Sequence, residues 1–151
     1  MRKANPEDVP LLVDLMAEFY AEGGYELNRA VAAAAFSAVI GDRRLGYVWI
    51  IQSQGQDVGH VVFTLRYAME YGGIIACLDD LYVKQPWRNQ GYATAALKET
   101  QQFCQRAGIR ALTVEVGHSK GPAQSAYRKA GFTEAPDRQL LVLPLAAPAH
   151  L

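Results

Sequence analysis

The chain has 151 residues, half of them hydrophobic, a mean hydropathy of -0.05, and fifteen basic residues against fifteen acidic ones. Such a chain fits one domain over residues 1–151 with a sizeable core and is not of disordered or fibrous composition. Its balanced charge gives no electrostatic case for a nucleic-acid partner. No apolar run reaches the roughly 18–20 residues of a membrane span and no signal-peptide core opens the chain, so no membrane partner is expected. Cys77 and Cys104 each lie in an apolar pattern and read as buried free thiols, which suits a reducing cytoplasm.

Met1 to Ala4 is expected as a short first strand. Asn5-Pro6-Glu7-Asp8 then starts a helix, with Asn5 as cap, Pro6 in the first turn and two acids near the positive dipole end. Leu12, Leu15, Met16 and Phe19 mark its buried face, and Gly23-Gly24 ends it. Asn28 caps a second helix with Val31, Ala35, Val39 and Ile40 turned inward and Gly41 closing it. Gly46–Gln54 and Val58–Met69 read as the two strands of a hairpin around a Gln54-Gly55-Gln56-Asp57 turn. Tyr71-Gly72-Gly73 turns the chain again into the stretch on which everything else depends.

That stretch runs from Leu78 to Leu97. Leu78, Leu81, Tyr82 and Val83 are strand formers, Pro86 stops the ladder, and after Gly91 the apolar residues Ala93, Ala96, Leu97, Phe103 and Cys104 recur at helical spacing. A strand, a polar loop and a helix opening at a glycine present backbone amides and the positive end of a helix dipole to an anion, phosphate above all. A helix to Ala107-Gly108 is followed by a strand over Ile109–Val116, then by a helix opening at Gly121-Pro122 in which Ala123, Ala126, Tyr127 and Ala130 share a face. Two final strands, Phe132–Glu134 and Gln139–Leu145, precede a loose tail from Pro148. The expected order is β-α-α-β-β-β-α-β-α-β-β.

Within the loop, Arg88-Asn89-Gln90-Gly91-Tyr92-Ala93 resembles the Arg/Gln-x-x-Gly-x-Gly/Ala motif of the GNAT superfamily, the acyl-CoA-dependent N-acetyltransferases. Residues Ala123 to Phe132 are similar to that family's Ala-x-x-x-Tyr-x-x-x-Gly-Phe segment. The order of elements is the GNAT order too, so the resemblance covers nearly the whole chain. It implies an α/β (α+β) fold with a mixed, mostly antiparallel central sheet flanked by helices.

The resemblance further implies acetyl-CoA as acyl donor, in a cleft between the central strand and the strand after it. Backbone groups of Leu81 and Val83, alternate residues on one strand edge, would pair with the pantetheine amides. Tyr82 between them belongs to the same segment, its ring more a packing group than a contact. The amides of Arg88, Asn89, Gln90, Gly91, Tyr92 and Ala93 would take the pyrophosphate, with the Thr94 hydroxyl beside them. The Arg88 side chain either neutralises a phosphate or is a solvated loop arginine. Lys120 stands where the family commonly has an Asn that meets pantetheine, and reaches either a phosphate or solvent.

Acetylating an aliphatic amine requires removing a proton from a group with pKa near 10, which costs roughly 4 kcal/mol at neutral pH. A carboxylate can accept it. By strand alternation Asp79 and Asp80 point to opposite faces, so one of them serves the acceptor. The resemblance favours Asp79 as base or water-holder and Asp80 as a structural or substrate-binding acid, with Glu115 in reserve; the plainer reading has both acids capping loops or pairing with cations. Tyr127 is the candidate acid for the leaving thiolate, or else a buried ring on its helix. The family transfers the acetyl group directly, with no acyl-enzyme. His60, His118 and His150 form no triad or metal spacing.

The acceptor expected is a small cationic amine, recruited with help from Glu18, Glu22 and Glu26 unless these are merely a wet helix face. A protein or peptide amine, or a non-catalytic acyl-CoA-binding role, are the alternatives. The terminal strands, which often build dimers in this family, allow a homodimer.

Overall fold

A computed structural model describes residues 1–117 and 123–147. Lys120, the Gly121-Pro122 helix opening and the tail from Pro148 lie outside the described residues. The chain folds as β1 (Arg2–Lys3), α1 (Val9–Glu22), α2 (Arg29–Gly41), β2 (Gly46–Ser53), β3 (Gln56–Ala68), β4 (Gly73–Val83), α3 (Tyr92–Arg106), β5 (Leu112–Val114) and α4 (Gln124–Lys129). One five-stranded sheet takes them in the order β1-β2-β3-β4-β5, antiparallel except for the parallel β4–β5 pair.

Local chemistry accounts for the element ends. The Asn5 side chain accepts from the Glu7 amide while Asp8 reaches back to the Asn5 amide at 2.8 Å, a capping box that starts a 3₁₀ turn running into α1. Asn28 caps α2 by accepting from the Val31 amide. The β2–β3 turn is shorter than its composition suggests: Gln54 and Gly55 both have positive φ, so Ser53 pairs directly with Gln56.

Alternation along β3 separates two cores. Val61 and Phe63 join Trp49, Ile51, Leu78, Leu81 and Val83 beneath Ala96, Leu97 and Cys104 of α3 and Ala126 of α4. Val62, Val48 and Ile50 on the other face pack against Leu12 and Val13 of α1 and Ala32 and Phe36 of α2. The inward face of α2 matches expectation at Val39 and Ile40, which pack against this core, but in its first half it is one step away: Ala32 and Phe36 are buried, whereas Val31 and Ala35 are exposed. The alanine-rich run Ala32 to Ala35 gives an apolar stripe several settings, and the bulk of Phe36 selects among them.

The fold class is as expected, and the first nine elements appear in the expected order. The two terminal strands do not. Residues 132–147 form no strand and follow an irregular path, tied back by a hydrogen bond from the Phe132 amide to the Tyr127 carbonyl and by Arg138 donating to Glu70 at 2.7 Å. Strand propensity needs a paired neighbour to be realised. Leu140 to Leu145 keeps its strand-like composition but meets no sheet edge among the described residues, leaving Leu141, Leu143 and Leu145 more than four-fifths exposed.

Candidate active site

Strands β4 and β5 pair only over Ala76–Leu78 and Leu112–Val114. From Asp79 onward β4 keeps β3 on one edge and, among the described residues, has no strand on the other. The Lys84 amide donates to the Val58 carbonyl of β3, so by alternation the backbone groups of Tyr82 turn the same way and those of Leu81 and Val83 face the open edge. The close approach at Gly59, where an added Cβ would lie 2.1 Å from the Tyr82 carbonyl oxygen, fits that orientation. A cleft of about 1120 Å³ occupies the gap.

Leu81, Tyr82, Val83, Arg88, Asn89, Gly91, Tyr92, Ala93, Thr94 and Tyr127 all line the cleft, as does Glu115. Gln90 does not; its side-chain amide donates to the Pro86 carbonyl and braces the loop. At the cleft's far end α3 begins at Gly91, which has φ 86° and gives the helix no side-chain cap. The first bond of the helical ladder runs from the Ala95 amide to the Gly91 carbonyl, so the amides of Tyr92, Ala93 and Thr94 precede the ladder. A Cβ at Gly91 would meet nothing within 4 Å. An uncapped helix start with open space before it is a fit for a phosphate group. Those amides, with the open edge of β4, are the groups that would hold acetyl-CoA.

Arg88 lines the cleft with its guanidinium already engaged. Its Nε donates to the Val83 carbonyl at 2.8 Å, and Nη2 donates to both carboxylate oxygens of Glu22 at 2.6 and 2.8 Å. The guanidinium also lies 5.5 Å from the centre of the Tyr82 ring. The residue thus clamps the end of α1 to the end of β4. Glu18 is committed likewise, accepting from the Tyr82 hydroxyl at 3.2 Å with Lys84 Nζ at 3.9 Å. Beside the two glutamates, burial pushes the Tyr82 hydroxyl up to about 12.

The two aspartates differ from expectation in an instructive way. The β3–β4 register pairs Val62 with Asp80 but Phe63 with Leu78, leaving Asp79 as the extra residue of a β-bulge. The bulge cancels the alternation, so Asp79 and Asp80 project from the same face, the one covered by α1 and α2, while Leu78 and Leu81 both stay in the α3 core. The expectation of opposite faces is corrected on that ground. Neither aspartate lines the cleft.

Thr64 donates to Asp79 at 2.8 Å. Asp79 is itself exposed, yet partial burial of its carboxyl, followed by the charges of Asp80 and Glu115, outweighs that bond and raises its pKa. Asp80 is 8% exposed and has His60 Nε2 3.3 Å from one carboxylate oxygen. Burial first, then the Asp80 charge, pushes the Tyr127 phenol up to about 12. The same causes, with Asp79 added, raise Tyr20 on α1. One electrostatic cluster therefore joins both aspartates to Tyr20 and to Tyr127 across the sheet. The Tyr127 hydroxyl has no hydrogen-bond partner among the described residues. His60 carried no sequence signal beyond being a lone polar residue in an apolar strand, Val58-Gly59-His60-Val61-Val62.

Both cysteines are free thiols, Cys104 buried and Cys77 partly so. Among the described residues no group of His, Cys, Asp and Glu is arranged to hold a metal ion, and no helix is long and apolar enough to cross a membrane.

Splayed parallel strands, an uncapped helix start and a tyrosine-bearing helix after them are the arrangement expected of an acyltransferase from the sequence resemblance. Residues 11–132 match the acetyltransferase (GNAT) family, and the chain belongs to that family. It is similar over 99% of its length, at 41% identity and a TM-score of 0.90, to integron cassette protein HFX_CASS3 from the mobile metagenome of Cole Harbour Salt Marsh, 93% of which is covered. A possible acetyltransferase from Clostridium difficile 630 shares the fold at 18% identity, with a TM-score of 0.85 and 97% of each chain covered. A predicted acetyltransferase from Clostridium acetobutylicum, whose structure contains acetyl-CoA, shares it at 19% identity and a TM-score of 0.79, over 93% of this chain and 94% of that one. No curated protein matches the sequence.

Proposed function

We propose that this family member moves an acetyl group from acetyl-CoA to a primary amine of a small cationic molecule, by direct transfer. The observation that carries the reading is the juxtaposition at the inner end of the cleft. There an open strand edge and Tyr127 line the cleft, and through the sheet Tyr127 is charge-coupled to Asp80, one of two carboxylates that the bulge turns to the face under α1 and α2. Acetyl-CoA supplies a reactive thioester when bound; the rest falls to the chain. The amides of Tyr92, Ala93 and Thr94 hold phosphate, and Leu81 and Val83 offer backbone groups along the cleft.

Asp79 takes the amine proton, directly or through a water. Its raised pKa suits it to that task, because a more basic carboxylate narrows the gap to the ammonium. Asp80 binds the ammonium. Tyr127, protonated at neutral pH with a pKa of about 12, donates a hydrogen bond to the departing sulfur. An ammonium at Asp80 would offset the charge that helps raise Tyr127, making the phenol a better donor when the acceptor is in place. The reading is tested by thiol release from acetyl-CoA across a panel of small mono- and diamines. Acetyl-CoA binding without release by any amine would overturn it.

The exposed run Leu140 to Leu145 supports a homodimer as part of this reading. Five large apolar side chains there are 65–94% exposed, and the β5 edge of the sheet is open among the described residues. A second copy brings both an identical run and an identical edge, so two-fold pairing would satisfy both at once. The two free thiols are in keeping with a reducing cytoplasm.

A further inference from the structure

His60 is a fully buried polar side chain in the middle of β3, and the reaction as described makes no use of it. Its ring stands edge-on to Phe36 of α2 at 6.0 Å and lies 6.1 Å from the Tyr82 ring of β4. Only Nε2 has a polar neighbour, the Asp80 carboxylate at 3.3 Å; Nδ1 is buried with no hydrogen-bond partner. A buried polar atom without a partner costs free energy, and a lone pair is cheaper to leave unpaired than an N–H. The arrangement therefore favours the tautomer with its proton on Nε2, donating to Asp80. A phenylalanine would fill the same apolar space without stranding Nδ1, so packing alone gives no reason for a histidine here.

Asp80 is held in place by the bulge and by this ring. Its other surroundings are the charge-coupled hydroxyls of Tyr20 and Tyr127 and the neighbouring Asp79. We propose that His60 is a positioning residue: from the neighbouring strand, on the same face of the sheet, its Nε2–H fixes the rotamer of Asp80, so that the free carboxylate oxygen is aimed at the ammonium of the acceptor. The inference rests on the amine-acetyltransferase reading for the acceptor's identity, but the His60–Asp80 bond stands on geometry alone. In this arrangement Asp79 serves the proton and Asp80 the charge, which explains why two adjacent acids share one face.

The test uses three variants and two kinds of readout. Gln at position 60 carries an amide nitrogen near the place of Nε2, Asn one near the place of Nδ1, and Phe none. With 1,4-diaminobutane as acceptor, His60→Phe and His60→Asn should raise the acceptor KM roughly tenfold, the scale of one hydrogen bond to a charged group. They should leave kcat within about twofold, and His60→Gln should restore the parent KM. Acetyl-CoA affinity by calorimetry should be unchanged in all three. An unchanged KM in His60→Phe, or a His60→Gln protein as impaired as His60→Phe, would overturn the proposal. The second readout needs no turnover: long-range proton–nitrogen NMR of the labelled parent protein should show the His60 ring protonated at Nε2, with that proton shifting when 1,4-diaminobutane is added. A ring protonated at Nδ1, or an Nε2 proton indifferent to saturating diamine, would also overturn it. An Nε2 proton that responds to diamine in a protein that releases no thiol would sink acetyl transfer while upholding the positioning role.

Discussion

Removal of the Tyr127 hydroxyl is the perturbation whose size the structure constrains best. The ring packs edge-on against Phe132 at 5.7 Å, and its helix is anchored through backbone bonds, so Tyr127→Phe keeps the buried area. Stability should change by under about 1 kcal/mol, or 2–4 °C in Tm for a chain of this size. The catalytic loss follows from the acidity. With its pKa pushed up to about 12, the phenol is a weaker acid than an ordinary tyrosine, near 10. Against a thiolate of ordinary thiol basicity, near 8.5, complete proton transfer is uphill by roughly 5 kcal/mol. Hydrogen-bond donation to the forming thiolate is then the larger part of the help, worth roughly 1.5–3 kcal/mol. The maximal rate should fall by about 10–150-fold, at or below the low end of the 10²–10⁴ range for general acids. Steady-state turnover at saturating substrates and acetyl-CoA calorimetry measure the two sides. The phenol also stays protonated well beyond pH 9, so the parent profile should show no Tyr127-dependent alkaline fall below that pH. Parent-rate turnover by Tyr127→Phe, or an alkaline fall near pH 8 that the substitution abolishes, would refute the reasoning.

Gly91→Val should cost roughly 1–2 kcal/mol of stability from its left-handed φ and weaken acetyl-CoA binding at least tenfold; equal affinity by calorimetry in a folded variant would locate the phosphate site elsewhere. Asp79→Asn should depress turnover most near pH 7 and less at pH 9–10, where more of the amine is already neutral. The same variant should be more heat-stable at neutral pH, because a carboxylate raised in the folded state holds its proton more tightly there than in the unfolded chain, and stability drops as pH rises through that window. A stability gain that persists at pH 3, where the carboxyl is protonated in both states, would refute the charge explanation. Leu141→Lys with Leu143→Lys should leave a monomer by light scattering if the exposed run pairs two copies, whereas an unaltered dimer would remove that run from the interface.

The fold was legible wherever a local chemical rule acts alone. Asn5, Pro6, Asn28, Gly55 and Gly91 each mark an element boundary through a cap or a backbone angle, and the structure uses them so. It was illegible where a partner decides. The run Leu140 to Leu145 has the composition of a strand, yet composition cannot say whether an edge lies within reach, and among the described residues none does. The α2 face was misjudged for a related reason: alanines are small enough for either side, so the choice fell to Phe36 packing against the sheet and the His60 ring.

The same distinction governs the site. The phosphate cradle is a backbone feature at a loop–helix junction, and such features leave a residue signature in Gly91 and the polar loop before it. The acceptor side depends on which way side chains point, and a single inserted residue inverts that. Strict alternation through Leu78-Asp79-Asp80-Leu81 would have buried one leucine in each core and sent one aspartate into the α3 side, among a cluster of mostly aliphatic and aromatic side chains. The spacing of the two leucines, three apart in a strand, was the available sign of a bulge, since both must reach one core. Once the bulge is granted, the consequences run in order. Both carboxylates face α1, Asp80 falls opposite Val62 and beside the preceding inward residue of β3 on that face, and that residue is His60. A histidine with no motif around it thus acquires its chemistry from a change of register on the neighbouring strand.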